Sequence, residues 1–112
     1  MANKAYLFLC NGGEKRSQTA ASVGREIAGA NGLKIEMTYG SYDVLRQFDK
    51  KKMAQHLRMY AKIFVMDAEM KRYIESMKLE IPVINLDVQD IYERGESALV
   101  RILEERLSEH IG

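Results

Sequence analysis

Apolar positions fall alternately into short continuous runs and one-sided stripes along the chain. Residues 5–10 form one run, Ala-Tyr-Leu-Phe-Leu-Cys, closed by Asn11, Gly12 and Gly13. Such a run predicts a strand buried on both faces. Over 17–30 the apolar residues Ala20, Val23, Ile27 and Ala30 recur at helical spacing, and Asn31-Gly32 supplies the stop. Residues 33–39 alternate as a second strand, punctuated by Gly40-Ser41. A stretch free of Gly and Pro over 42–60 sets Val44, Leu45, Phe48, Met53 and Leu57 near one face. It predicts a single helix with a fully charged centre at 49–52. Residues 61–66 read as a third strand, and Asp67 caps a helix that runs to 77. A fourth strand over 81–86 tolerates Pro82 near its start. The last helix, over 96–110, presents Leu99, Ile102, Leu103 and Leu107 to a core, with Arg106 beside them.

Strands alternating with helices predict an α/β fold of three layers: a four-stranded parallel sheet with helices on both faces. No repeat, linker or low-complexity tract interrupts the pattern, so residues 1–112 read as a single domain. In such sheets ligands bind beyond the carboxyl ends of the strands. The loop after the first strand is therefore the first place to look for chemistry.

Composition narrows the field by exclusion. With 17 Lys+Arg against 16 Asp+Glu, the net charge of +1 argues against nucleic acid as a partner. One cysteine rules out an internal disulfide and a Cys-rich zinc site. His56 and His110 have no partners at metal-ligand spacing and read as surface residues, so no metal is expected. Lys50, Lys51 and Lys52 read as a solvated face, and the seven methionines as core filler. No run nears the ~20 apolar residues that span a bilayer. The opening apolar stretch is also too short for a signal-peptide core. The expectation is a cytoplasmic protein with no membrane partner; the sequence leaves the oligomeric state open.

The segment Cys10-Asn11-Gly12-Gly13-Glu14-Lys15-Arg16-Ser17 joins a buried strand to a helix N-terminus. Glycines let the backbone curl so that several N–H groups face inward as an anion nest, and the helix adds the positive end of its dipole. Arg16 can grip two oxygens of a phosphate with its planar fork. The same field favours a thiolate at Cys10, and the Ser17 hydroxyl can donate to the sulfur. One short segment thus supplies a nucleophile and an oxyanion cradle, the phosphate-binding loop of this fold.

With Thr19-Ala20 following, this segment resembles the phosphate-binding loop of low-molecular-weight protein tyrosine phosphatases. Two later blocks extend the likeness. Residues 61–67, followed by Glu69 and Lys71-Arg72, are similar to the family's third strand and the helix start after it. Val88-Gln89-Asp90-Ile91-Tyr92-Glu93-Arg94-Gly95 looks like its acid loop, which carries an Asp-Pro-Tyr-type motif. The resemblance implies phosphoryl transfer through a cysteinyl-phosphate, with Cys10 as nucleophile, Arg16 holding the phosphoryl oxygens and Asp90 as general acid. Asp87, on the same loop, competes for the acid role. Asn11, Gly12, Gly13, Glu14, Lys15 and Ser17 would line the substrate phosphate, and Tyr92 would stack on a substrate ring at the pocket mouth. A phosphorylated protein or a small aryl phosphate is the implied substrate, with no metal or organic cofactor.

The sequence also departs from the family's pattern. Gly13 stands where Asn commonly braces the loop, and Glu14 places a carboxylate beside the anion site. Lys15 replaces a second cysteine, Ile91 replaces the proline of the acid loop, and the region between the second and third strands is short. Two alternatives stay open on these residues. One is a cysteine-phosphorylated IIB-type phosphotransferase-system carrier, which needs neither Arg16 nor an acid. The other is a catalytically silent phosphate-binding module.

Overall fold

The four apolar runs become β1 (Lys4–Cys10), β2 (Ile35–Ser41), β3 (Lys62–Val65) and β4 (Val83–Asn85), ordered β2-β1-β3-β4 and all parallel. The computed structural model describes residues 4–13 and 15–111. Parallel strands need crossovers, and these are α1 (Arg16–Ala30), α2 (Tyr42–Leu45) with α3 (Lys50–Leu57), and α4 (Ala68–Glu75). α5 (Ser97–Leu107) follows β4 and lies beside α1.

β1, at the centre, shows why both faces are covered. Phe8 faces α1, where a Cβ built on Gly24 would come 3.3 Å from the Phe8 ring and 3.2 Å from Met37 Sδ. A glycine at that point lets the helix lie close on the sheet. Leu7 and Leu9 point the other way and border a groove with Leu45 and Leu57. On that second side Tyr42 meets Tyr73 edge-on with ring centroids 5.7 Å apart, and Lys50 Nζ sits 4.9 Å above the Tyr73 ring. Phe8 and Phe64 stack at 4.8 Å across β1 and β3, and α5 adds Leu99, Leu103 and Leu107, all fully buried.

Two elements differ from the sequence expectation. The single helix predicted over 42–60 is two helices, interrupted between Leu45 and Lys50, with Asp49 extended. Leu45 and Ala54 are both buried. Nine residues apart, they would stand about 180° from each other on one straight helix, so a break is needed to bury both. The second strand runs to Ser41 rather than stopping at Tyr39, because its ladder follows β1 as far as the pair Cys10–Ser41. Gly40 and Ser41, read as punctuation, are ladder residues, while Leu33 stays exposed before the strand. Strand order reverses about β1 and β3, and the loops 10–16 and 86–96 leave the carboxyl ends of β1 and β4 at this end of the sheet.

Candidate active site

Cys10 closes β1 and is buried, and its thiol donates to Ser17 Oγ across 3.1 Å. Ser17 is itself fully buried in the first turn of α1, so the sulfur is held from behind by a hydroxyl with no access to water. Arg16 opens α1. Its side chain is only 4% exposed, and Nη1 donates to the Val88 carbonyl at 2.6 Å. Arg16 Nε is buried with no hydrogen-bond partner, and lies 3.7 Å from Asp90 Oδ1, an ion-pair separation too long for a hydrogen bond. A buried guanidinium with an unanswered N–H is costly unless an anion completes it.

Gly13 has φ +72°, and a Cβ there would come 2.8 Å from Ser41 N and 2.9 Å from Gly40 C. The loop therefore rests against the end of β2 so closely that no side chain fits between. The Asn11 carbonyl accepts from Ser41 Oγ at 2.7 Å and from Asp43 N at 3.1 Å. Lys15, exposed at the rim, lies 3.6 Å from Glu93.

The second loop starts against the end of β3, where Leu86 N donates to Val65 O at 2.8 Å and Val88 N to Met66 O at 3.0 Å. Arg106 of α5 donates to the carbonyls of Leu86 and Asp87, the latter at 2.8 Å. Arg94 Nη1 donates to Gln18 Oε1 at 3.0 Å, and Gly95 N to Thr19 Oγ1 at 3.0 Å, tying the loop to α1. Asp90 itself is 58% exposed by side chain.

Cys10, Asn11, Gly12, Lys15, Arg16 and Asp90 line one cavity of about 140 Å³ at the carboxyl end of the sheet. Of the residues singled out by sequence, these six come together. Ser17 sits behind the sulfur and Gly13 against β2, each supporting the cavity without lining it. Glu14 lies outside the described residues. Tyr92 is half-buried and packs on the core, where its ring gains apolar contact, and it is not among the residues that line this cavity. Asp87 is exposed and apart from the cavity lining, with φ +53° and its own amide bonded to Asn85 Oδ1 at 2.8 Å.

Sequence reasoning missed Val88, Ser41 and Arg106. Val88 accepts through its main-chain carbonyl, which leaves no residue-type signal, and the Arg106 guanidinium donates to carbonyls that only the fold brings beside it. Ser41 was visible only as turn punctuation. Among the described residues no group of three or more His, Cys, Asp or Glu could hold a metal, and no helix is long and apolar enough to cross a membrane.

No protein-family model matches the sequence, and no curated protein matches it. Solved structures do. A protein tyrosine phosphatase from Entamoeba histolytica is 17% identical, covers 97% of this chain and 95% of its own, and superposes with a TM-score of 0.74. The arginine phosphatase YwlE from Bacillus subtilis is 16% identical over 97% of each chain, with a TM-score of 0.69. The lactose-specific IIB component from Streptococcus pneumoniae is 18% identical over 97% of this chain and 95% of its own, with a TM-score of 0.55. At these identities the likeness establishes the fold, which is that of the low-molecular-weight tyrosine phosphatases.

Proposed function

We propose that this chain is a cysteine-dependent phosphatase that hydrolyses phosphotyrosine or other aryl phosphate monoesters. One observation carries the reading. A nucleophile, a buried guanidinium with a free N–H and a carboxylic acid border the same cavity, although Asp90 stands on the far loop of the fold.

In the first step the Cys10 thiolate attacks phosphorus, the P–S bond forms and the P–O bond to the leaving group breaks. Asp90, protonated, gives its proton to the departing phenolate. Arg16, with main-chain amides of the loop as further donors, holds the equatorial oxygens as charge redistributes. In the second step Asp90 takes a proton from water, the water oxygen attacks phosphorus and the P–S bond breaks, releasing inorganic phosphate and thiolate. When the sulfur is ionised, the Ser17 hydroxyl turns to donate to it, which stabilises it as nucleophile and as leaving group. Metal-free chemistry of this kind relies on positioning and charge.

The test is hydrolysis of para-nitrophenyl phosphate in the presence of a chelator. Cys10→Ser should lower kcat by about four orders of magnitude or more, as loss of a nucleophile does. Asp90→Asn should lower it roughly 100-fold, the scale of a lost general acid. Turnover untouched by Asp90→Asn would move the acid role to Asp87 or to water. Absence of wild-type turnover would refute the phosphatase reading for this substrate class.

The likeness to the IIB component favours one second reading, a carrier that holds phosphate on Cys10 for onward transfer. A carrier accumulates a long-lived phosphocysteine and gains nothing from Arg16 or Asp90. Phosphate binding with neither turnover nor a stable phosphocysteine would mark a silent module.

A further inference from the structure

We infer that Ser41, at the end of β2, is a positioning residue that aims the Gly12 amide at the substrate phosphate; the inference rests on the phosphatase reading above. In a trans peptide the carbonyl of one residue and the N–H of the next point in opposite directions. The Asn11–Gly12 peptide is trans, so whatever holds the Asn11 carbonyl also sets the Gly12 N–H. Two donors hold it: Ser41 Oγ at 2.7 Å and Asp43 N at 3.1 Å. Both lie beyond the loop, at the β2–α2 junction. Asn11 and Gly12 line the cavity, and a Cβ on Gly12 would meet nothing within 4 Å, so its main chain borders open space.

The Ser41 hydroxyl is used in both senses. It donates to Asn11 and accepts from Val44 N at 3.2 Å as the cap of α2. The loop itself offers no brace at Gly13, which has no side chain and could not carry one against Gly40 and Ser41. The rigidity of the loop near Asn11 is thus lent by β2. The two ends are already in register, because Cys10 pairs with Ser41 in the sheet.

The experiment uses the chain's single cysteine. Iodoacetamide alkylation of Cys10 is followed by intact mass at rising inorganic phosphate, giving the concentration that half-protects the thiol. Wild type, Ser41→Thr and Ser41→Val are compared. Ser41 has extended backbone, φ −95° and ψ 120°, which both β-branched residues adopt readily, so the pair differs chiefly by the hydroxyl. Melting temperatures are recorded alongside.

Ser41→Val should raise the half-protecting phosphate concentration roughly tenfold, the scale of one hydrogen bond to a charged group. Ser41→Thr should stay within about twofold of wild type, since the donor is kept. KM for para-nitrophenyl phosphate should rise in Ser41→Val and not in Ser41→Thr. If Ser41→Val loses thermal stability while phosphate protection matches wild type, Ser41 is only a helix cap and the inference falls. Equal weakening in both variants overturns it too, because the hydroxyl is then not the cause. Failure of phosphate to protect wild-type Cys10 removes the anion site, and with it the phosphatase reading itself.

Discussion

The two loops that meet at the cavity are built on opposite plans. The loop over 10–16 is gripped from inside the fold: Ser17 is buried behind the sulfur, Arg16 is buried beside it, and β2 presses on Gly13. The loop over 86–96 is anchored at its start, where Leu86 and Val88 are buried and bonded to Val65, Met66 and Arg16. Beyond Val88 it is tied to α1 by an exposed bond from Arg94 to Gln18 and one from Gly95 to Thr19, with Asp90 more than half exposed. One half is fixed before any ligand arrives, which suits a cradle that must not reorganise as charge shifts. Under the proposed mechanism the other carries a group that would change protonation state twice in a cycle and exchange protons with water, and exposure suits that task. The buried guanidinium is the hinge between the two plans, because it sits in the first loop and bonds the backbone of the second.

Arg16→Lys attacks the comparison where it is strongest. Lysine lacks the planar fork that can grip two oxygens side by side while another N–H holds Val88, so kcat/KM should fall roughly 100- to 1000-fold. Steady-state kinetics on para-nitrophenyl phosphate reads this, and a loss under tenfold would mean that Arg16 does not hold the phosphoryl group. Gly13→Ala tests the contact with β2. The added Cβ would lie 2.8 Å from a backbone nitrogen at a left-handed φ, so urea unfolding should show a loss of about 1–3 kcal/mol. Unchanged stability would mean that the loop can lift off the strand, and the inside grip would be weaker than the geometry indicates. Arg94→Ala loosens only the outer loop. Stability should move by about 0.5 kcal/mol or less, as for other surface changes. kcat should fall about two- to fivefold, well short of the loss expected for Asp90→Asn. A drop as large as that of Asp90→Asn would show that the outer loop is held as tightly as the inner one.

The inner loop was legible in the sequence because its chemistry is local. Eight consecutive residues carry the thiol, the glycines, the guanidinium and the hydroxyl, between a strand and a helix that periodicity reveals. The place of Asp90 beside the same cavity follows from the block around it. What escaped were contacts that topology makes. Ser41 meets Asn11 because β2 pairs with β1, and Val88 meets Arg16 because β4 closes the sheet; neither side chain type announces that role. The packing of Tyr92 on the core is of the same kind, since its place beside an acid in the sequence does not reveal it. The break between α2 and α3 escaped because each half keeps helical period while the phase changes between them.

The bond from Arg16 to Val88 spans 72 positions of the chain. During synthesis the nucleophile, the glycines and the guanidinium all emerge early, yet the carbonyl that fixes the guanidinium arrives only after the last strand. A nascent chain shorter than that holds a cradle whose central cation has nothing to settle against. Contacts this distant in sequence are among the slowest to form. Catalytic competence would then be among the last properties the chain acquires, and its appearance would report that the whole sheet has closed.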